Sequence, residues 1–115
     1  MYRELIIGNE SYKLRLTTKY SVQLEKALGY NPIEVFMALE EGKMPKLADM
    51  MIILHYMLQS LHHGINMDKT YDIYDDYVAE GNSMTDLIVV FMEVFQLSGY
   101  IPKGKTANGE EEVKN

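Results

Sequence analysis

Cysteine is absent from this chain, which excludes a disulfide framework, a thiolate metal site and a cysteine nucleophile. No apolar run reaches the roughly 20 residues that a membrane span needs, and the longest apolar segments carry acidic groups. The start, Met1-Tyr2-Arg3-Glu4, leads straight into a strand-like run without the apolar stretch of a signal peptide. Basic side chains are few: 11 Lys and Arg stand against 17 Asp and Glu, a net charge of −6. With no basic, aromatic-interleaved stripe, nucleic acid is not an expected partner. Gly-x-Ser-x-Gly and a glycine-rich phosphate cradle are also missing. The absences together predict a cytosolic protein with no enzymatic role, no cofactor and no metal.

What is present is unusual in a different way. The stretches Leu47–Leu61 and Met84–Leu97 are apolar almost all the way round, and between Met84 and Leu97 the only charges are Asp86 and Glu93. A helix with one wet face shows an apolar and a polar stripe. These two must instead be covered on several sides, by the rest of a small domain or by another chain. At 115 residues, 47% apolar and 24% charged, the chain is long enough for a single core.

The order of elements predicts an α+β fold, mainly α. Glu4–Gly8 and Tyr12–Leu16 read as a β-hairpin (residues 4–16) around Gly8-Asn9-Glu10-Ser11. In its second strand Tyr12, Leu14 and Leu16 alternate with Lys13 and Arg15. A lone hairpin is marginal in water, so it must dock on helices or pair with another subunit's edge. Five helical segments follow across residues 18–99, in an irregular bundle. Thr18 or Ser21 caps the first, and Asn31-Pro32 opens the second. Pro45 opens the third, which runs to about His62. Asn66 or Asp68 caps the fourth and Ser83 the fifth. Each segment closes on a glycine: Gly29, Gly42, Gly64, Gly81 and Gly99. Residues 1–102 form one domain. Residues 103–115, with three lysines, three glutamates and one valine, read as a disordered tail.

Candidate chemistry is thin. His55, His62 and His63, with Asp68 nearby, lack helical metal-ligand spacing and a fourth ligand, and His62 and His63 fit the last turn of a helix, where positive charge suits the dipole. Asp68, Asp72, Asp75 and Asp76 share one side of the fourth helix while Tyr71, Tyr74, Tyr77 and Val78 recur on the other, an amphipathic pattern with a solvated acidic face. A hydrolase pairing His55 with Asp72 or Asp75 is the enzymatic alternative. Gly99–Thr106 formally matches a P-loop, but it follows a helix where a buried strand is required. Nine methionines are present, a residue over-used at adaptable binding surfaces. Met50 and Met51 are adjacent and point about 100° apart, so one of them is expected outside the core. The candidate partner-binding residues are Met50, Met51, Tyr56, Phe91 and Phe95.

Several stretches occur together: Tyr12-Lys-Leu-Arg-Leu-Thr-Thr18, Leu24-Glu-Lys-Ala-Leu-Gly-Tyr-Asn-Pro32, Val35-Phe36, Ile53-Leu-His55, His63-Gly64, Tyr71-Asp-Ile-Tyr-Asp-Asp76, Asp86-Leu-Ile88 and Glu93-Val-Phe95. In order and spacing they resemble the small tail assembly chaperones of long-tailed (siphovirus-type) phages and prophages of Gram-positive bacteria. The resemblance implies a non-enzymatic protein of the bacterial host cytoplasm that binds the tape measure protein, keeps it soluble and helps recruit tail tube protein. It further implies self-association into a homo-oligomer, absence from the finished virion, and a longer frameshifted form extending beyond Glu112-Val-Lys-Asn115. The alternative is a structural or adaptor subunit retained in the particle.

Overall fold

The computed structural model describes residues 1–102, and the tail expected over 103–115 lies outside them. A β-hairpin is followed by five helices, as the α+β reading predicts. Strands β1 (Arg3–Ile7) and β2 (Glu10–Leu14) pair antiparallel, with Ile7 opposite Glu10 and Arg3 opposite Leu14. The connection is tighter than Gly8–Ser11. Only Gly8 and Asn9 lie outside the pairing, because Gly8 adopts a φ of 59°. A two-residue hairpin loop needs that positive φ, and glycine supplies it without a Cβ clash. This register puts Leu5, Ile7 and Leu14 on the buried face. Leu16 is also buried but lies past the strand, since the Arg15 N–H leaves the ladder and donates to the Met57 carbonyl at 2.9 Å.

Helix α1 (Thr18–Leu28) is entered from Thr17 rather than from Thr18 or Ser21, and ends on left-handed Gly29. Before α2 (Glu34–Glu40), Asn31 Oδ1 accepts the Ile33 N–H at 3.0 Å, so the expected Asn-Pro start opens with a turn. Helix α3 (Leu47–Gln59) follows Pro45 but stops three residues before His62. Gly64 does not have a positive φ, unlike Gly29, Gly42, Gly81 and Gly99. The chain leaves α3 through a turn in which the Ile65 N–H donates to the His62 carbonyl, so no left-handed cap is required there. Helix α4 (Met67–Ala79) is capped by Asn66, and α5 (Met84–Ser98) by a reciprocal Ser83–Asp86 capping box.

One core holds these elements together, and α3 and α5 supply most of it: Met50, Met51, Ile53, Leu54, Met57 and Leu58 from one, Leu87, Ile88, Val90, Phe91, Val94 and Phe95 from the other. Each fully buried side chain of this size contributes about 1.5–3 kcal/mol relative to exposure. Helix α5 keeps only a narrow wet line through Thr85, Asp86, Val89 and Glu93. That is why its sequence looks apolar all round. The hairpin docks on helices, with β2 against α3 and β1 against α5, where the Arg3 guanidinium pairs with Glu93. Helix α4 buries Thr70, Ile73 and Tyr77, whereas Tyr71 and Val78 are exposed. The packed stripe is therefore rotated from the tyrosine-rich one expected, because buried Thr70 takes the place at α3 that a Tyr71-centred face would claim. No helix among the described residues is long and apolar enough to cross a membrane.

Candidate interaction surface

Four of the five residues expected to meet a partner lie in the core. Met50, Met51, Phe91 and Phe95 are buried within the single chain, and Tyr56 is half-buried with its ring edge-on to His55. The reason is geometric. Helix α3 is covered by α1 on one side, α4 on another and β2 on a third, so two side chains about 100° apart both find cover. Phe95 is held between Phe36 and Tyr100, with ring centroids 5.5 and 5.2 Å away, both edge-to-face.

Exposed apolar side chains lie elsewhere. Met37 on α2, Met44 in the following loop and Leu47 at the start of α3 are 59%, 57% and 48% exposed. Met37 lines a groove of about 470 Å³ with Asn31, Ile33, Ala38 and Lys43. Glu34 and Glu41 stand on its rim, so the patch combines adaptable apolar area with charge of both signs. Sequence reasoning counted Met37 and Met44 among the methionines without singling them out. The available signal was local: Met44 sits between Lys43 and Pro45, and Met37 lies midway between Glu34 and Glu40, both outside the two all-apolar helices.

A second cleft, about 610 Å³, runs between the β2–α1 junction and the end of α5, and includes Arg15, Ser21, Glu25 and Tyr100. Two of its polar groups are engaged with each other. The Tyr100 hydroxyl donates to Glu25 Oε2 at 2.8 Å, and burial, that hydrogen bond and the Glu25 charge push its pKa up to about 12. Tyr30 is likewise pushed up to about 12, by burial and then by its hydrogen bond to Asp49. Neither phenol is poised for proton transfer near neutral pH.

The histidines serve the framework. His55 Nδ1 lies 3.3 Å from Thr70 Oγ1, whose own proton goes to the Asn66 carbonyl at 2.9 Å. The Gln59 amide donates to the Ile65 and His55 carbonyls, which uses both its hydrogens. The arrangement is satisfied when neutral His55 carries its proton on Nδ1 and donates it to Thr70. Asp72 and Asp75 are exposed, and neither is bonded to His55, so the geometry of a His–Asp hydrolase is missing. His62 does not act as a charged helix-end group either. Its Nε2 accepts the Lys13 N–H at 2.9 Å, a role that needs the neutral ring. Among the described residues no three His, Asp or Glu side chains are grouped to hold a metal. Gly99 is the left-handed cap of α5, and residues 103–106 of the formal P-loop match lie outside the described residues.

Both half-buried imidazoles have lowered pKa values, His55 through partial burial and His62 through partial burial and then the Lys13 charge. The unfolded chain therefore takes up protons first as pH falls below the ordinary histidine value of about 6.5. Their contribution to stability is complete above that value and is lost as pH falls through it toward the lowered folded values. Urea midpoints should fall between pH 7.5 and 5.5 as an order-of-magnitude window around that pKa, and His62→Gln should flatten the slope.

The fold and its exposed patch can be set beside known proteins. A family of unknown function, DUF6096, matches residues 2–114. The chain belongs to this family. No characterised protein and no solved structure matches it. The DUF6096 match spans the hairpin and all five helices.

Proposed function

We propose that this DUF6096 protein is a non-catalytic chaperone of phage or prophage tail assembly in the bacterial cytoplasm, which binds the tape measure protein and assists assembly of the tail tube. The observation that carries the reading is the exposure of Met37, Met44 and Leu47 within one short segment, with Glu34 and Glu41 beside Met37 in its groove. A holdase needs adaptable apolar surface for its client and a charged exterior to keep the complex soluble. The acidic face of α4, with Asp68, Asp72, Asp75, Asp76 and Glu80, supplies the second. The sequence resemblance to tail assembly chaperones gives the client its identity.

Co-expression with a phage tape measure protein tests this. The expected result is a soluble complex that co-purifies, where the long protein alone is insoluble. Replacing Met37, Met44 and Leu47 together by glutamate should weaken the complex on the order of 100-fold, about 3 kcal/mol of lost apolar burial. The melting temperature should stay near that of the wild type, because all three side chains are exposed. No rescue, together with recovery of this protein from purified virions, would overturn the chaperone reading and favour a retained structural subunit.

A further inference from the structure

The two outer edges of the hairpin are not equivalent. On β2 the Lys13 N–H donates to His62 Nε2 and the Arg15 N–H to the Met57 carbonyl, each at 2.9 Å, so the chain closes that edge itself. Antiparallel neighbours alternate between residues whose main-chain groups face each other and residues whose groups face away. Lys13 faces away on β2, so Glu4, its partner in the register, faces away on β1, and Ile6 does the same two residues on. No described residue accepts from the Glu4 or Ile6 N–H. The Glu4 carbonyl takes the Arg3 guanidinium on one lone pair and keeps a second. Beside this edge Ile6 is 63% and Tyr2 45% exposed.

We propose that β1 pairs with β1 of a second copy of this chain, antiparallel about a two-fold axis through Leu5, making a four-stranded sheet across a dimer. Three registers match the open groups. Centring on Glu4 sets two carboxylates directly opposite, which is unfavourable. Centring on Ile6 brings Glu4 opposite Gly8, in the turn and past the strand. Centring on Leu5 pairs Glu4 with Ile6 twice and uses the open N–H groups of both copies. It also sets Ile6 of each copy diagonally between Tyr2 and Ile6 of the other, covering apolar area that is now wet.

Charge selects a second copy as the occupant. Residues 16–102 carry five basic and twelve acidic side chains, so two copies repel over most of their surface. Residues 3–15 carry three basic and two acidic ones, and Glu4 already stands opposite Lys13. The hairpin is the region where two acidic copies can approach without that penalty. Because the β2 edges are closed by His62 and Met57, the assembly stops at two.

This dimer stands independently of the client reading. Light scattering on the full chain should give twice the 13.3 kDa of one copy at high concentration, falling toward 13.3 kDa on dilution. Hydrogen exchange read residue by residue should slow at the Glu4 and Ile6 amides as concentration rises, with Lys13 unchanged. Ile6→Lys, at an exposed position, should stay folded by circular dichroism and give a single-copy mass, whereas Met37→Lys should still dimerise. A single-copy mass at every concentration would overturn the proposal. So would a dimer that survives Ile6→Lys, or one whose Glu4 and Ile6 amides exchange at the same rate in dilute and concentrated solution.

Discussion

Phe95→Ala is expected to cost about 3–5 kcal/mol, a large part of the roughly 5–15 kcal/mol that stabilises a domain. The ring is fully buried and touches Phe36 from α2 and Tyr100 from beyond α5, so its loss removes two edge-to-face contacts as well as apolar burial. Tyr100 is itself tied to Glu25 through its hydroxyl, which limits collapse into the space left by the ring. Thermal unfolding should shift downward by roughly 12 °C or more. Met37→Ala, at an exposed position, should change stability by no more than about 0.5 kcal/mol. Comparing the two separates a packing residue from a contact residue, because a partner-contact Phe95 would behave like Met37.

Thr70→Val tests the polar seam between α3 and α4. The substitution keeps the shape of the only buried polar residue among those described, and removes its hydroxyl. The His55 Nδ1 proton then loses its acceptor, and the Asn66 carbonyl keeps only the Thr70 backbone N–H at 3.0 Å. Leaving a half-buried donor unpaired costs about 1–3 kcal/mol. Thr70→Ser, which retains the hydroxyl, should cost less. NMR should show a slowly exchanging His55 imidazole proton in the wild type and in the Thr70→Ser variant, and none in Thr70→Val. Equal losses for both substitutions would mean that the methyl group, not the hydrogen bond, matters at this seam.

How far the fold was legible depended on how local its cause was. Asn66, Ser83, Gly29 and Gly99 act within a turn of where they stand, and each capping or terminating role was readable from the residue type. The alternation of Leu14 and Leu16 against Lys13 and Arg15 likewise carried the hairpin's buried face. Burial of both Met50 and Met51 was not readable, since it depends on three different elements closing around α3. The same holds for His62. Its neutral, accepting role is created by Lys13, 49 residues earlier in the chain. The exposed Met37 patch escaped notice for the converse reason: on a short helix, composition cannot say which methionine lacks cover.

The attachment of the hairpin has a consequence for synthesis. Its second strand is fastened by residues 57 and 62, and its first strand is tied through Arg3 to Glu93, 90 residues away. As the chain leaves the ribosome, the hairpin emerges before the five helices and finishes after them, because its last tether lies on α5. Until α5 has been made, β1 is a strand without its helix. Contacts this distant in sequence slow folding, and an unpaired edge on an incomplete chain is a route to misassembly. Of the described elements β1 thus waits longest for its cover, and Glu93 marks the point at which it can be drawn in.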